Sequence, residues 1–142
     1  MTSRLTETAI DCADPMRLAE FWCAALGYQV LHVEDDEEFV EIGPERSERT
    51  DAEFLEAVRR GPVPSSVTFA KVPEAKTVKN RLHLDLSPID CSQAEEVARL
   101  EGLGARRADV GQGDDVSWVV MEDPQGNEFC VLRSLAPGEF SL

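Results

Sequence analysis

Lys79-Asn80-Arg81-Leu82-His83-Leu84-Asp85-Leu86, followed by Ser87-Pro88-Ile89-Asp90, holds the densest chemistry in this chain. Leu82, Leu84 and Leu86 alternate with Arg81, His83 and Asp85, the period-2 pattern of a half-buried strand. One face of such a strand packs against a helix. The other carries an imidazole and a carboxylate side by side. The segment also has a counterpart: Glu7-Thr8-Ala9-Ile10-Asp11-Cys12-Ala13-Asp14 lays over His83 to Asp90, pairing Glu7 with His83 and Asp11 with Ser87. Each segment is a strand that ends in an Asp before a helix, and the helices close on Leu26-Gly27 and Leu103-Gly104. Such a repeat is sought before anything else because it sets the whole fold.

Between these landmarks the elements follow in order. Residues 7–13 read as a first strand, with Thr8, Ile10 and Cys12 facing one way and Glu7, Ala9 and Asp11 the other. Asp14-Pro15 opens a helix, Asp as N-cap and Pro at N1. Leu18, Phe21, Trp22 and Ala25 give it one apolar face, and Gly27 ends it. Residues 29–33 and 39–42 form a hairpin around the acidic run Glu34-Asp35-Asp36-Glu37-Glu38, which lacks EF-hand spacing and reads as a solvated turn. Thr50-Asp51-Ala52-Glu53 is a capping box for a short helix before Gly61-Pro62, either a lid or a packed connector. Residues 67–72 are the next strand, with Thr68 and Ala70 opposite Val67 and Phe69. After the strand at 82–86, Ser92-Gln93-Ala94-Glu95 is a second capping box. Strands at 106–110 and 117–121 flank Gly111-Gln112-Gly113-Asp114-Asp115, too short a glycine pattern to mean anything by itself. Asp123-Pro124-Gln125-Gly126-Asn127 is a tight turn, residues 128–133 are the last strand, and 136–142 are a tail that docks or frays.

Composition bounds the function. At 142 residues, with 42% hydrophobic and 30% charged, the chain suits one globular domain of two small modules. Its net charge of −14 opposes binding to nucleic acid or an anionic membrane. No apolar run approaches the roughly 20 residues of a membrane span, and the N-terminal residues lack a secretory core; the expectation is a cytoplasmic protein. Cys12, Cys23, Cys91 and Cys130 show no CxxC spacing and read as reduced, buried small hydrophobes. No Ser-His-Asp order, Walker loop or Rossmann glycine pattern is present.

Strand–helix–three strands therefore occurs twice, in modules at about 5–74, with an inserted helix near 50–60, and about 79–134. The fold class is α+β: two βαβββ modules pairing curved mixed sheets around a shared pocket, since neither can bury a whole core alone. Asp11-Cys12-Ala13-Asp14-Pro15, Phe21-Trp22, Ala25-Leu26-Gly27-Tyr28, Val72-Pro73-Glu74, the 79–86 stretch and Glu122-Asp123-Pro124-Gln125-Gly126-Asn127-Glu128-Phe129 carry a family resemblance. The chain resembles the vicinal oxygen chelate superfamily, in its glyoxalase-like branch related to bleomycin-resistance proteins and dioxygenases.

That resemblance implies one divalent metal, held by residues of the first and fourth strands of each module, and a homodimer. The first-strand places fall on Glu7 and His83, both competent ligands. The last-strand places fall on Cys130 and on Thr68 or Ala70, so only half a metal quartet is present. Glu7 reads equally as a surface acid. His83 lines a pocket or serves structurally against a carboxylate; Asp85 orients it, acts as a base, or anchors Arg81 or Asn80. With Asp11, Thr68, Ala70, Trp118 and Cys130 as pocket lining, the first expectation is a small-molecule-binding protein without a strong metal site. The alternative is a metal-dependent lyase, isomerase or ring-cleaving dioxygenase using Glu7 and His83, distinct from glyoxalase I; a ligand-free structural dimer is the third.

Overall fold

The computed structural model describes residues 3–34, 36–45 and 50–139. The chain divides into two compact units, Met1–Ala75 and Lys76–Leu142. The first contains β1 (Glu7–Cys12), α1 (Pro15–Leu26), β2 (Gln29–Glu34), β3 (Phe39–Gly43), α2 (Asp51–Arg60) and β4 (Ser66–Lys71). The second contains β5 (Asp85–Leu86), α3 (Gln93–Gly102), β6 (Arg106–Arg107), β7 (Val119–Glu122) and β8 (Glu128–Val131). Each has one four-stranded mixed sheet, ordered β1-β4-β3-β2 and β5-β8-β7-β6. In both, the first and last strands run parallel and the other neighbours antiparallel. The repeat is thus real as topology, with α2 inserted before the fourth strand of the first copy. The class is α+β.

In the first unit, Asp14 caps α1 through its side chain, and Gly27 closes it in the left-handed region at φ 66°. Leu18, Ala19, Phe21 and Trp22 bury against Val40, Ile42, Val67 and Phe69 of the sheet, while Ala25 stays half-buried. The Phe21 and Trp22 rings meet edge to face, 5.3 Å between centroids, a geometry aromatic quadrupoles favour. The capping box at Thr50 and Glu53 is formed, yet α2 buries no residue completely. The acidic run turns with Asp36 and Glu37 at positive φ; Asp35 lies outside the described residues.

In the second unit, the capping box at Ser92 and Glu95 starts α3, which buries Val97 and Leu100. Met121, Phe129 and Val131, alternate residues on β7 and β8, are fully buried or nearly so. Gln93 Nε2 donates to the carbonyls of Ser117 and Val131, both at 2.9 Å, tying the start of α3 to the sheet. Asp123 is buried and organises its turn: its Oδ1 accepts from Gln125 and Asn127 N–H, and Gly126, at φ 88°, donates back to its carbonyl. Ala136 is buried, so the tail begins docked; residues 140–142 lie outside the described residues.

Three expectations need correction. The strand at 82–86 has only two paired residues, Asp85 and Leu86, and Leu82 is 90% exposed rather than packed under a helix. The cause lies upstream, where the Asn80 N–H donates to Glu128 Oε2 at 2.9 Å and Asn80 Nδ2 to Asn127 at 3.2 Å. Those bonds hold the segment by a side chain at the start of β8, not by a ladder. The strand at 106–110 is shortened to Arg106 and Arg107; Ala108 N–H still donates to the Val120 carbonyl, and beyond it side chains take over, Gln112 accepting from Val110 and Asp109 from Gly111. Of the four cysteines, all free thiols, Cys23 and Cys91 are only half-buried. Among the described residues no helix is long and apolar enough to cross a membrane.

Candidate functional site

The site grows from one register. On the parallel pair β5–β8, Asp85 is opposite Cys130 and Leu86 opposite Val131. Cys130 N–H donates to the Leu84 carbonyl at 2.9 Å and Leu132 N–H to the Leu86 carbonyl at 2.7 Å. Alternation then sends Val131 and Phe129 under α3 and leaves Glu128, Cys130 and Leu132 on the opposite face. His83, two residues before Asp85, reaches the same face. β7 adds Val120, with Trp118 just before it, and the loop after β6 adds Val110 and Gln112.

Together with Lys79 these residues line a cavity of about 330 Å³ within the second unit. Its walls are apolar along Val110, Trp118, Val120 and Leu132, and Trp118 keeps 40% of its surface exposed. Its polar end is a dyad, His83 Nδ1 lying 3.0 Å from Asp85 Oδ1, with Cys130 Sγ 3.8 Å from the same nitrogen. With the carboxylate accepting, Nδ1 carries the proton and Nε2 is left as the basic nitrogen. Burial pushes the Cys130 thiol up to about 11, helped by the charge of Asp85 and slightly opposed by Lys79. In the metal-free protein Cys130 is therefore a neutral thiol at neutral pH.

Glu128 is the buried carboxylate of the cavity. Burial pushes its carboxyl up, but the Asn80 N–H and the Lys76 ammonium, 3.0 Å away, outweigh it and hold the group below its ordinary value. It is a fixed anion paired with a fixed cation, and it shapes the wall instead of titrating near neutrality.

Of the residues singled out from sequence, His83, Asp85, Cys130 and Trp118 lie on this cavity. Glu7, Asp11, Thr68 and Ala70 lie in the first unit, where Glu7 and Asp11 are exposed on β1 and Thr68 and Ala70 half-buried on β4. Asp11 is in register with Ala70, and Ala9 with Thr68, so these residues share the face turned away from α1. Sequence reasoning missed Val120, Glu128 and Leu132, although each is two residues from a residue it had named. It also missed Lys79, Val110 and Gln112, whose positions depend on loop paths.

The donor set bears on a metal. Among the described residues, His83, Asp85 and Cys130 each offer a ligand atom within 4.8 Å of the other two. Nitrogen, oxygen and sulfur together suit a divalent ion of borderline softness. The residues present therefore fit a metal, though not an all-oxygen one.

Comparison with known proteins agrees with this architecture. A family model described as a glyoxalase-like domain matches residues 7–132, and the chain belongs to that family. Among solved structures it is similar to a glyoxalase/bleomycin resistance protein/dioxygenase family enzyme from Burkholderia phytofirmans PsJN. Identity is 16%, with 91% of this chain and 97% of that one covered and a TM-score of 0.58. It is similar to a mutant of the fosfomycin resistance protein FosX from Listeria monocytogenes, complexed with Mn(II) and 1S,2S-dihydroxypropylphosphonic acid. There identity is 10%, coverage 94% and 92%, and the TM-score 0.61. A third is the oxidase ChaP-H2, at 16% identity, 99% and 100% coverage and a TM-score of 0.56. At these identities the likeness shows the vicinal oxygen chelate fold and nothing finer. No match was found among curated proteins.

Proposed function

We propose that the second unit binds a compact, largely apolar metabolite or natural product bearing one polar group, which the protein sequesters or modifies. The cavity carries this reading: about 330 Å³, apolar along its walls, with the His83–Asp85 dyad at one end. That volume is at the lower end of the roughly 300–1,000 Å³ of small-molecule sites, and few convergent polar groups on apolar walls are their usual composition. Trp118 offers a flat surface to a planar ligand. His83, oriented by Asp85, would accept a hydrogen bond from a ligand hydroxyl, or its proton if the ligand is transformed.

The grouping of His83, Asp85 and Cys130 favours a second reading, metal-dependent lyase, isomerase or dioxygenase chemistry. Those three residues would hold the ion, which would supply Lewis acidity toward a ligand oxygen. The acidic net charge supports a partner that is a small molecule rather than nucleic acid. A homodimer is proposed by resemblance alone.

Thermal-shift screening of compact aromatic and alicyclic fragments on the metal-free protein tests the first reading. Ligands that bind the folded chain raise its melting temperature by mass action. We expect hits whose shift is lost in Trp118→Ala. Hits that shift Trp118→Ala equally, or a library that shifts nothing, would overturn it.

A further inference from the structure

We propose that His83, Asp85 and Cys130 form a site for a thiophilic divalent cation, taking zinc in preference to manganese. The inference rests on the metal-dependent reading above, to which it adds the identity of the ion, and it stands apart from the organic-ligand reading, since it needs no occupant of the apolar part of the cavity. Three observations carry it. First, the donors are pre-positioned by the sheet: Asp85 and Cys130 are cross-strand partners on β5 and β8, and His83 is two residues from Asp85. Second, the spacing suits a small ion. Tetrahedral zinc with bonds of about 2.0–2.3 Å needs donors about 3.3–3.8 Å apart; here Nδ1 is 3.0 Å from Oδ1 and 3.8 Å from Sγ. An ion would replace the proton that Nδ1 shares with Asp85, and the three donor atoms already lie within 4.8 Å of one another.

Third, the donor chemistry discriminates between metals. A sulfur ligand favours zinc and related ions, whereas manganese prefers carboxylate, carbonyl and water oxygens. The Mn(II) in the FosX complex therefore does not transfer to this chain by position. Three protein ligands also leave a coordination position open, the arrangement of catalytic rather than structural zinc sites. The residues that supply the donors line the cavity, so the open position would serve a ligand there.

Cobalt(II) substitution of the full chain is the test, with zinc and manganese binding measured alongside by equilibrium dialysis. The expected result is one equivalent of cobalt showing a near-ultraviolet sulfur-to-cobalt charge-transfer band and displaced by zinc. Cys130→Ser should abolish the band, and Asp85→Ala should weaken zinc by at least the roughly 10–100-fold that even outer-shell losses cost. Because Cys130 is buried, Asp85→Ala also serves as the variant least prone to misfolding. Zinc protection of Cys130 from iodoacetamide in the wild-type chain, read by peptide mass, needs no variant. Cobalt binding without the band, manganese held as tightly as zinc, or Cys130 labelled equally with and without zinc would overturn the proposal.

Discussion

Asp85 and Cys130 face each other across the parallel pair β5–β8, and the bond from Cys130 N–H to the Leu84 carbonyl fixes that register. His83 joins them because it is two residues upstream on the same face. A one-residue slip of β5 would send His83 and Asp85 to the side of the sheet away from Cys130, so the polar end of the cavity depends on a backbone pairing only two residues long.

The Asp85 carboxylate, 3.0 Å from His83 Nδ1, is proposed to orient the imidazole while adding little to stability. Both side chains are more than a third exposed, and exposed pairs contribute about 0–1 kcal/mol. Asp85→Asn should leave the melting temperature within about 2 °C while removing the preference for the Nδ1–H tautomer. Nitrogen-15 spectra of the His83 ring check this, and an unchanged tautomer would argue against the orienting role.

Cys130 should be the slow thiol of the metal-free chain. Its thiol titrates at about 11, and only the thiolate reacts. Alkylation at Cys130 should therefore keep rising nearly tenfold per pH unit from pH 7 to 10, without the plateau an ordinary thiol near about 8.5 would show. Site-resolved mass spectrometry of iodoacetamide adducts reads this directly.

Glu128 gives the second unit an acid-sensitive component. Its carboxyl titrates lower in the folded chain than when unfolded, so its contribution is complete above the ordinary carboxylate value. That contribution drains as pH falls through the folded value. Glu128→Gln should cost about 2 kcal/mol at pH 7 through lost charge-assisted bonds to Lys76 and Asn80. Its melting temperature should also vary less with pH between 5 and 3 than the wild type's. Parallel denaturation curves that never converge in acid would contradict this.

Leu82 and Leu100 separate pattern from packing. Leu82→Ala should be nearly neutral, because the side chain is 90% exposed, whereas Leu100→Ala removes a fully buried side chain and should cost about 2–5 kcal/mol. Urea denaturation of the two variants tests the corrected strand boundary.

That contrast shows what the sequence made legible. Asp14-Pro15, Gly27, both capping boxes and the Asp123–Asn127 turn are local signals with local causes, and they gave the right elements in the right order. The twofold βαβββ repeat followed from those landmarks although few residues match. The alternation at Leu82, Leu84 and Leu86 misled because period-2 patterning says nothing about whether a partner strand is present. Here the Glu128 carboxylate takes the Asn80 N–H, and pairing begins only at Leu84 and Asp85. His83, Asp85, Trp118 and Cys130 could be picked out as single residues. Val110 and Gln112 could not, because side-chain bonds to the backbone shape the loop that presents them.

The central claim is that the cavity beside His83 and Asp85 holds a small molecule, and the two indoles report on it separately. Trp118 lines the cavity, while Trp22 is 2% exposed in the other unit. Titrating a screening hit into nitrogen-15-labelled metal-free protein should move the Trp118 indole signal saturably and leave that of Trp22 in place. A stationary Trp118 signal at saturating ligand, or equal movement of both, would contradict the account.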